Sequence, residues 1–224
     1  MGFEFNHFLE LIPDINAAFI QTIYMISISL FIAILIGLPI GILLYITDQG
    51  LFMENRTVQN ILGFVVNMVR SIPFIILLVA LIPLTEFLVG TTIGPTAASV
   101  SLSVAAIPFF GRIVESSLRE IDKGVIEAAI AVGATPWMII KEVLLLEARS
   151  GIISGVTLTL ISLIGFSAMA GTVGGGGIGD LAIRFGYYRY DNTIMIATVV
   201  ILIVLVQVIQ FAGDFIAKVV DKRK

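Results

Sequence analysis

Between Ile15 and Thr47 the chain carries no charged residue. Crossing the hydrocarbon layer of a bilayer takes roughly 20 apolar residues of helix, so this run is long enough for a first span near 18–45. Inside lipid no water satisfies open backbone groups, which leaves helices or closed barrels as the only spanning structures. The rest of the chain has the same character. Of 224 residues 13% are charged and 58% hydrophobic, with a mean hydropathy of +1.07, where a soluble domain carries about 25% charge. The sequence has no cysteine, which excludes disulfides and thiolate metal sites. Its first residues lack the basic start and small-residue cleavage site of a secretory signal, so the N-terminus is expected to be retained as a short amphipathic lead-in over 1–17, with Glu4, Glu10 and Asp14. His7 is given no role.

Four more spans follow. The second is placed near 61–85, which brings Arg70 and Pro73 inside the helix. The third runs near 92–114, the fourth near 151–171 and the fifth near 192–214, before a basic tail over 215–224. The fold class is therefore all-α, a polytopic membrane protein of five transmembrane helices. An odd number of spans puts the ends on opposite sides. With the N-terminus outside, 11 of the 13 Lys and Arg residues fall on the cytoplasmic side and only Arg184 and Arg189 outside. This bias sets the orientation.

The same orientation places the long connection Arg112–Ser150 in the cytoplasm. Within it, Asp122 to Glu147 reads as helix, turn, helix. Val125–Val132 forms a short helix that Gly133 can end in a left-handed conformation. Thr135 then caps a second helix with Pro136 at its first position, where no amide hydrogen is needed. Small residues Ala128, Ala129, Gly133 and Ala134 gather at the corner and leave room for another surface.

The spacing Glu127-Ala128-Ala129, three residues, Gly133, nine residues, Val143 and Leu145 resembles the EAA motif of ABC importer permeases. Leu146 stands where many such motifs have Pro. The stretches Arg70–Pro83, Val89–Ala98 and Ser167–Tyr187 are similar to the permeases of methionine importers. The resemblance implies the type I importer permease fold, with a transmembrane domain over 18–214 that includes the coupling segment 122–147. It also implies a second copy of the permease, two cytoplasmic ATPase subunits that bind ATP and Mg, an extracytoplasmic methionine-binding lipoprotein, and substrate passing through the membrane. Glu127, Ala128, Ala129, Gly133 and Ala134 would then couple to the ATPase. No G-x-x-x-x-G-K-[ST] phosphate loop occurs in the chain, so ATP must be bound by another subunit. The chain is expected to hold no cofactor or metal, perform no covalent chemistry and bind no nucleic acid.

Three further features invite a role. Gly174, Gly175, Gly176 and Gly177 lead to Asp180. Glycine loses much backbone freedom on ordering, so the segment reads either as a flexible hinge at an outer gate or as a surface loop. Arg70 either faces a water-filled pathway or snorkels to the cytoplasmic interface. Gly151, Gly155, Thr159, Ser162, Gly165 and Ala168 form a small-residue face, as do Gly37 and Gly41, for close packing within the chain or across a dimer axis. The different-class alternative is a gradient-driven carrier or channel, against which the spans show no Asp, Glu or His relay; an assembly factor without transport is a third reading.

Overall fold

The computed structural model describes residues 5–221, with side chains from His7 onward. Glu4 of the lead-in and Lys222, Arg223 and Lys224 of the tail lie outside the described residues. Every regular element among them is helical: α1 (Phe5–Ile46), α2 (Arg56–Arg70), α3 (Phe74–Ala80), α4 (Ile82–Val89), α5 (Pro95–Arg119), α6 (Lys123–Ala131), α7 (Pro136–Met138), α8 (Leu145–Glu147), α9 (Arg149–Gly171), α10 (Gly177–Leu181) and α11 (Asn192–Val220). A π-helical turn, Ile139–Leu144, joins α7 to α8, and another, Ala182–Tyr187, follows α10. Among the described residues four helices are long and apolar enough to cross a membrane, five when the bent pair α2 and α3 is one span.

Three expectations need correction. The second span is not a continuous helix carrying Arg70 and Pro73. α2 ends at Arg70 and α3 starts at Phe74, with a bend of 101°. Pro73 has no amide hydrogen to donate, and its ring disfavours helical geometry at Ile72. Ser71 closes the turn instead, its amide bonding the Asn67 and Met68 carbonyls at 3.0 and 3.2 Å. Residues 5–17 of the lead-in are not a separate piece, since α1 starts at Phe5 and contains them. α11 likewise passes 214 and runs to Val220.

The chain divides into two compact units. In one (residues 32–71, 106–159 and 211–224), glycines set the helix distances. A Cβ on Gly37 would stand 2.8 Å from the Ile107 carbonyl oxygen, and one on Gly41 2.5 Å from that of Gly111. α1 and α5 thus meet backbone to backbone. Gly151 and Gly155 do the same for α9 against Ser117 and Ile113 of α5, and Gly213 of α11 lies on Thr157 of α9. Phe110, Val114 and Leu118 fill the space between and are fully buried. Membrane helices gain little from the hydrophobic effect against each other, so small residues that permit close approach hold them together. The small faces read from the sequence therefore serve packing within the chain at these positions.

The other unit (residues 1–31, 72–105 and 160–210) has its own apolar core of Ile15, Ala18, Ile178, Leu181, Ile194 and Ala197. Phe74 stacks on Phe166 with ring centroids 4.7 Å apart.

Candidate functional site

The corner begins at Asp122, whose side chain caps α6 by accepting the Gly124 amide at 2.7 Å. Val132 ends the helix and Gly133 follows at φ +81°. The Gly133 amide bonds the Ile130 carbonyl at 2.9 Å and the Ala134 amide bonds that of Ala129 at 3.0 Å. This paired pattern is a Schellman stop, and its left-handed position favours glycine. Thr135 Oγ1 accepts the Met138 amide at 3.4 Å, with Pro136 in the first turn. Ile126 and Ile139 are buried at 2% and 1% and fasten α6 and the second arm to the unit. With Leu146 in place of proline, hydrogen bonding runs on: the Ala148 amide bonds Leu144 and the Ile152 amide bonds Ala148. The second arm thus continues into α9.

The outward side of the corner holds what a partner would meet. Glu127, Ala128 and Gly133 are exposed, and Ala129 and Ala134 half-buried. Beside them stand large apolar side chains in the open: Val132 at 84% exposure, Trp137 at 70%, Met138 and Ile130. The sequence reading named only the small residues. The signal that finds Trp137 is that it is the one tryptophan in the chain and sits directly after Pro136 in a loop between spans.

The glycine segment differs from the mobile hinge or surface loop expected of it. α9 ends in a second Schellman stop, the Gly175 amide bonding the Ala170 carbonyl at 2.9 Å and the Gly174 amide that of Gly171 at 3.2 Å. Gly174, Gly176 and Gly177 all have positive φ, from +78° to +85°. Then the chain turns into α10, all five residues of which are buried. Gln21 Oε1 accepts the Gly177 amide and Thr22 Oγ1 the Ile178 amide, both at 2.9 Å. The Gly174 carbonyl accepts the Gly94 amide at 2.9 Å. These glycines are needed for left-handed turns and close approach, not for looseness. Asp180 is buried and pairs with Arg184, whose Nε donates at 2.8 Å.

Arg70 is the last residue of α2 and is exposed, so it stands at the bend and not in the middle of a continuous span. Among the described residues two acids are buried: Glu115, in the spanning helix α5, at 2% exposure, and Asp180, in the short α10 outside the spans, at 6%. Each is paired with arginine. His7, given no role from the sequence, lies with Nε2 2.8 Å from Asp191 Oδ2. Among the described residues no group of His, Asp and Glu is placed to hold a metal ion.

Residues 37–224 match the family model described as the binding-protein-dependent transport system inner membrane component. The chain is 52% identical over 203 residues to the probable D-methionine transport system permease protein of Vibrio cholerae, covering 91% of this chain and 90% of that one. It is 45% identical over 181 residues to the methionine import system permease protein of Bacillus subtilis, covering 81% and 82%. Among solved structures it is similar to a chain of an inward-facing MetNI methionine ABC transporter, with a TM-score of 0.89, 48% identity and coverage of 90% and 94%. A chain of an amino acid ABC transporter solved with histidines shares the fold alone, at a TM-score of 0.80 and 19% identity. A family match over most of the chain and these relatives agree with the helical corner and the apolar spans: the chain belongs to the family of binding-protein-dependent transport system inner membrane components.

Proposed function

We propose that this chain is the membrane-spanning permease subunit of an ATP-driven importer of methionine. The observation that carries the reading is the exposed helical corner: a rigid turn with an open apolar surface, on a chain that has no phosphate loop of its own. Its relatives are named as permeases of methionine transport systems. Two copies of the permease form the pathway. Two cytoplasmic ATPase subunits bind ATP and Mg, and an extracytoplasmic lipoprotein delivers methionine.

Movement in the ATPase reaches the spans through the corner. Ala128, Ala129, Gly133 and Ala134 leave space for the partner's pocket, Trp137 and Val132 supply apolar contact, and Glu127 offers a charge-assisted hydrogen bond. The Schellman stop and the capped second arm make the corner stiff enough to transmit displacement. Gly174–Gly177 and Asp180 form the outer gate, which moves as a packed seat and not as a loose loop. Arg70, at the α2–α3 bend, faces the pathway. The N-terminus is outside and the C-terminus cytoplasmic, following the charge bias. This chain itself makes and breaks no covalent bond.

The test is uptake in cells without other methionine importers, carrying the complete complex. ATP-dependent accumulation of methionine is expected. Uptake of another amino acid but not methionine overturns the cargo.

A further inference from the structure

Glu115 is 2% exposed and lies one turn before the end of α5. Two arginines of the same helix bracket it. Arg112, three residues before, donates Nη1 to its Oε2. Arg119, four residues after, donates Nη2 and Nε to its Oε1 at 2.8 and 3.2 Å. Both carboxylate oxygens thus accept charge-assisted bonds. Each arginine then reaches off the helix to a different segment. Arg112 Nη2 donates to Asn67 Oδ1 of α2 at 3.0 Å. Arg119 Nη1 pairs with Asp48 Oδ2, 2.6 Å away in the turn after α1. Lys123, the first residue of α6, adds its positive charge to the field at Asp48. Two acids and two arginines form a neutral cluster that ties three segments at the foot of the corner.

An anchor needed only for stability is met as well by apolar packing, because charges taken from water pay a large desolvation cost. What the cluster adds is fixed direction. A guanidinium fork held by a buried carboxylate has little rotamer freedom left, so its outer arm points one way. We propose that Glu115 is the positioning residue of the coupling path: it aims Arg112 and Arg119 so that α2 and the α1 turn move with α5 when α6 is pushed. Glu115 touches neither nucleotide nor substrate and acts through the two arginines. The inference rests on the reading that the corner transmits the ATPase movement.

The experiment uses the full complex in proteoliposomes, with Glu115→Gln in the permease. The amide keeps the shape, removes the charge and replaces one acceptor with a donor. Two quantities are read: ATPase recovered with the permease, and methionine moved per ATP hydrolysed. The expected result is normal recovery with the ratio lowered by about 2- to 30-fold, the usual range for residues along a coupling path. A role in stability alone lowers the yield and leaves the ratio. Asp48→Asn, in the partly exposed turn, is expected to lower the ratio in the same direction by less, and it decides the matter if Glu115→Gln is not inserted. An unchanged ratio in the inserted variants overturns the proposal. Gly133→Val in the same preparation separates the two ideas. If Gly133→Val uncouples and neither charge variant does, only the positioning role falls. If Gly133→Val is fully coupled, the corner itself is the wrong path.

Discussion

Replacing Gly179 by alanine tests whether the glycine segment is a packed seat. Gly179 has no positive φ, so its backbone accepts any residue, and only space forbids one. A Cβ there would overlap the Cα of Ala168 on α9 and stand 2.6 Å from its carbonyl oxygen and 2.9 Å from its carbonyl carbon. Ordinary contact begins at 3.4 Å, so α10 and α9 must part by roughly 0.8 Å to restore it against the oxygen and by more to clear the nearer Cα. Overpacking of this kind costs about 1–3 kcal/mol. Backbone faces backbone here, with no flexible side chain to give way, which argues for the upper end. Alanine recovers up to about 1 kcal/mol of helix propensity over glycine. The net loss is about 2 kcal/mol. Gly165, on the same α9, is the control, because nothing lies within 4 Å of a Cβ there. Purified permease is melted in detergent, and methionine uptake is measured in parallel. Gly179→Ala is expected to melt earlier and transport more slowly, while Gly165→Ala melts no earlier than the native chain. If Gly179→Ala melts at or above the native midpoint with full uptake, the close seat of α10 on α9 is wrong.

Gly41→Ala should lower the yield of folded permease by forcing α1 off Gly111 and Val114, at about 1–3 kcal/mol; an unaltered melting midpoint contradicts the backbone contact. Burial pushes the Asp48 carboxyl up, but the Gln49 amide and the Arg119 guanidinium outweigh it and hold the group below its ordinary 3.8. A depressed pKa stabilises the fold above the unfolded value and loses that stabilisation as pH falls through the folded one. The thermal deficit of Asp48→Asn is therefore expected to be equal at about pH 6 and about pH 8 and to shrink only below about pH 4; a deficit that changes between pH 6 and 8 refutes the assignment. Single cysteines in this cysteine-free chain report topology: residue 10 is expected to label from outside and residue 141 from the cytoplasm, and the reverse pattern overturns the orientation.

Features set by neighbours along the chain were legible in the sequence. The uncharged run after Ile15, the Thr135 cap and the glycine stop at 133 depend on residues within a few positions, and each stands where its chemistry puts it; the helix before the stop starts at Lys123 behind the Asp122 cap, two residues ahead of the expected Val125. Features set by distant partners were not. The break before Pro73 is a local exception: the Ser71 amide satisfies the Asn67 and Met68 carbonyls there, and the presence of proline alone does not tell a break from a kink. The glycines at 176 and 177 look loose until Gln21 and Thr22, 156 residues earlier, are seen to hold the amides at 177 and 178. The spacing Arg112, Glu115, Arg119 is visible as one helix face, but the burial of Glu115 comes from packing around α5. At the corner the pattern drew the eye to the small residues, and the exposure of Trp137 and Val132 needed the three-dimensional turn.

In the proposed cycle the corner carries the ATPase movement into the spans. Its most direct test is co-purification of the ATPase together with methionine-stimulated ATP hydrolysis, measured on Gly133→Val and Ala128→Trp. Nothing lies within 4 Å of a Cβ on Gly133, whose φ is +81°, so valine there acts through the backbone alone; the left-handed conformation costs a side-chain-bearing residue about 1–2 kcal/mol. Ala128 is exposed, so tryptophan has room in the permease itself and obstructs only what docks on it. Both variants are expected to reach the membrane at native levels and to lose the ATPase or its stimulation. Full association with full stimulation in both means that the corner is not the coupling element.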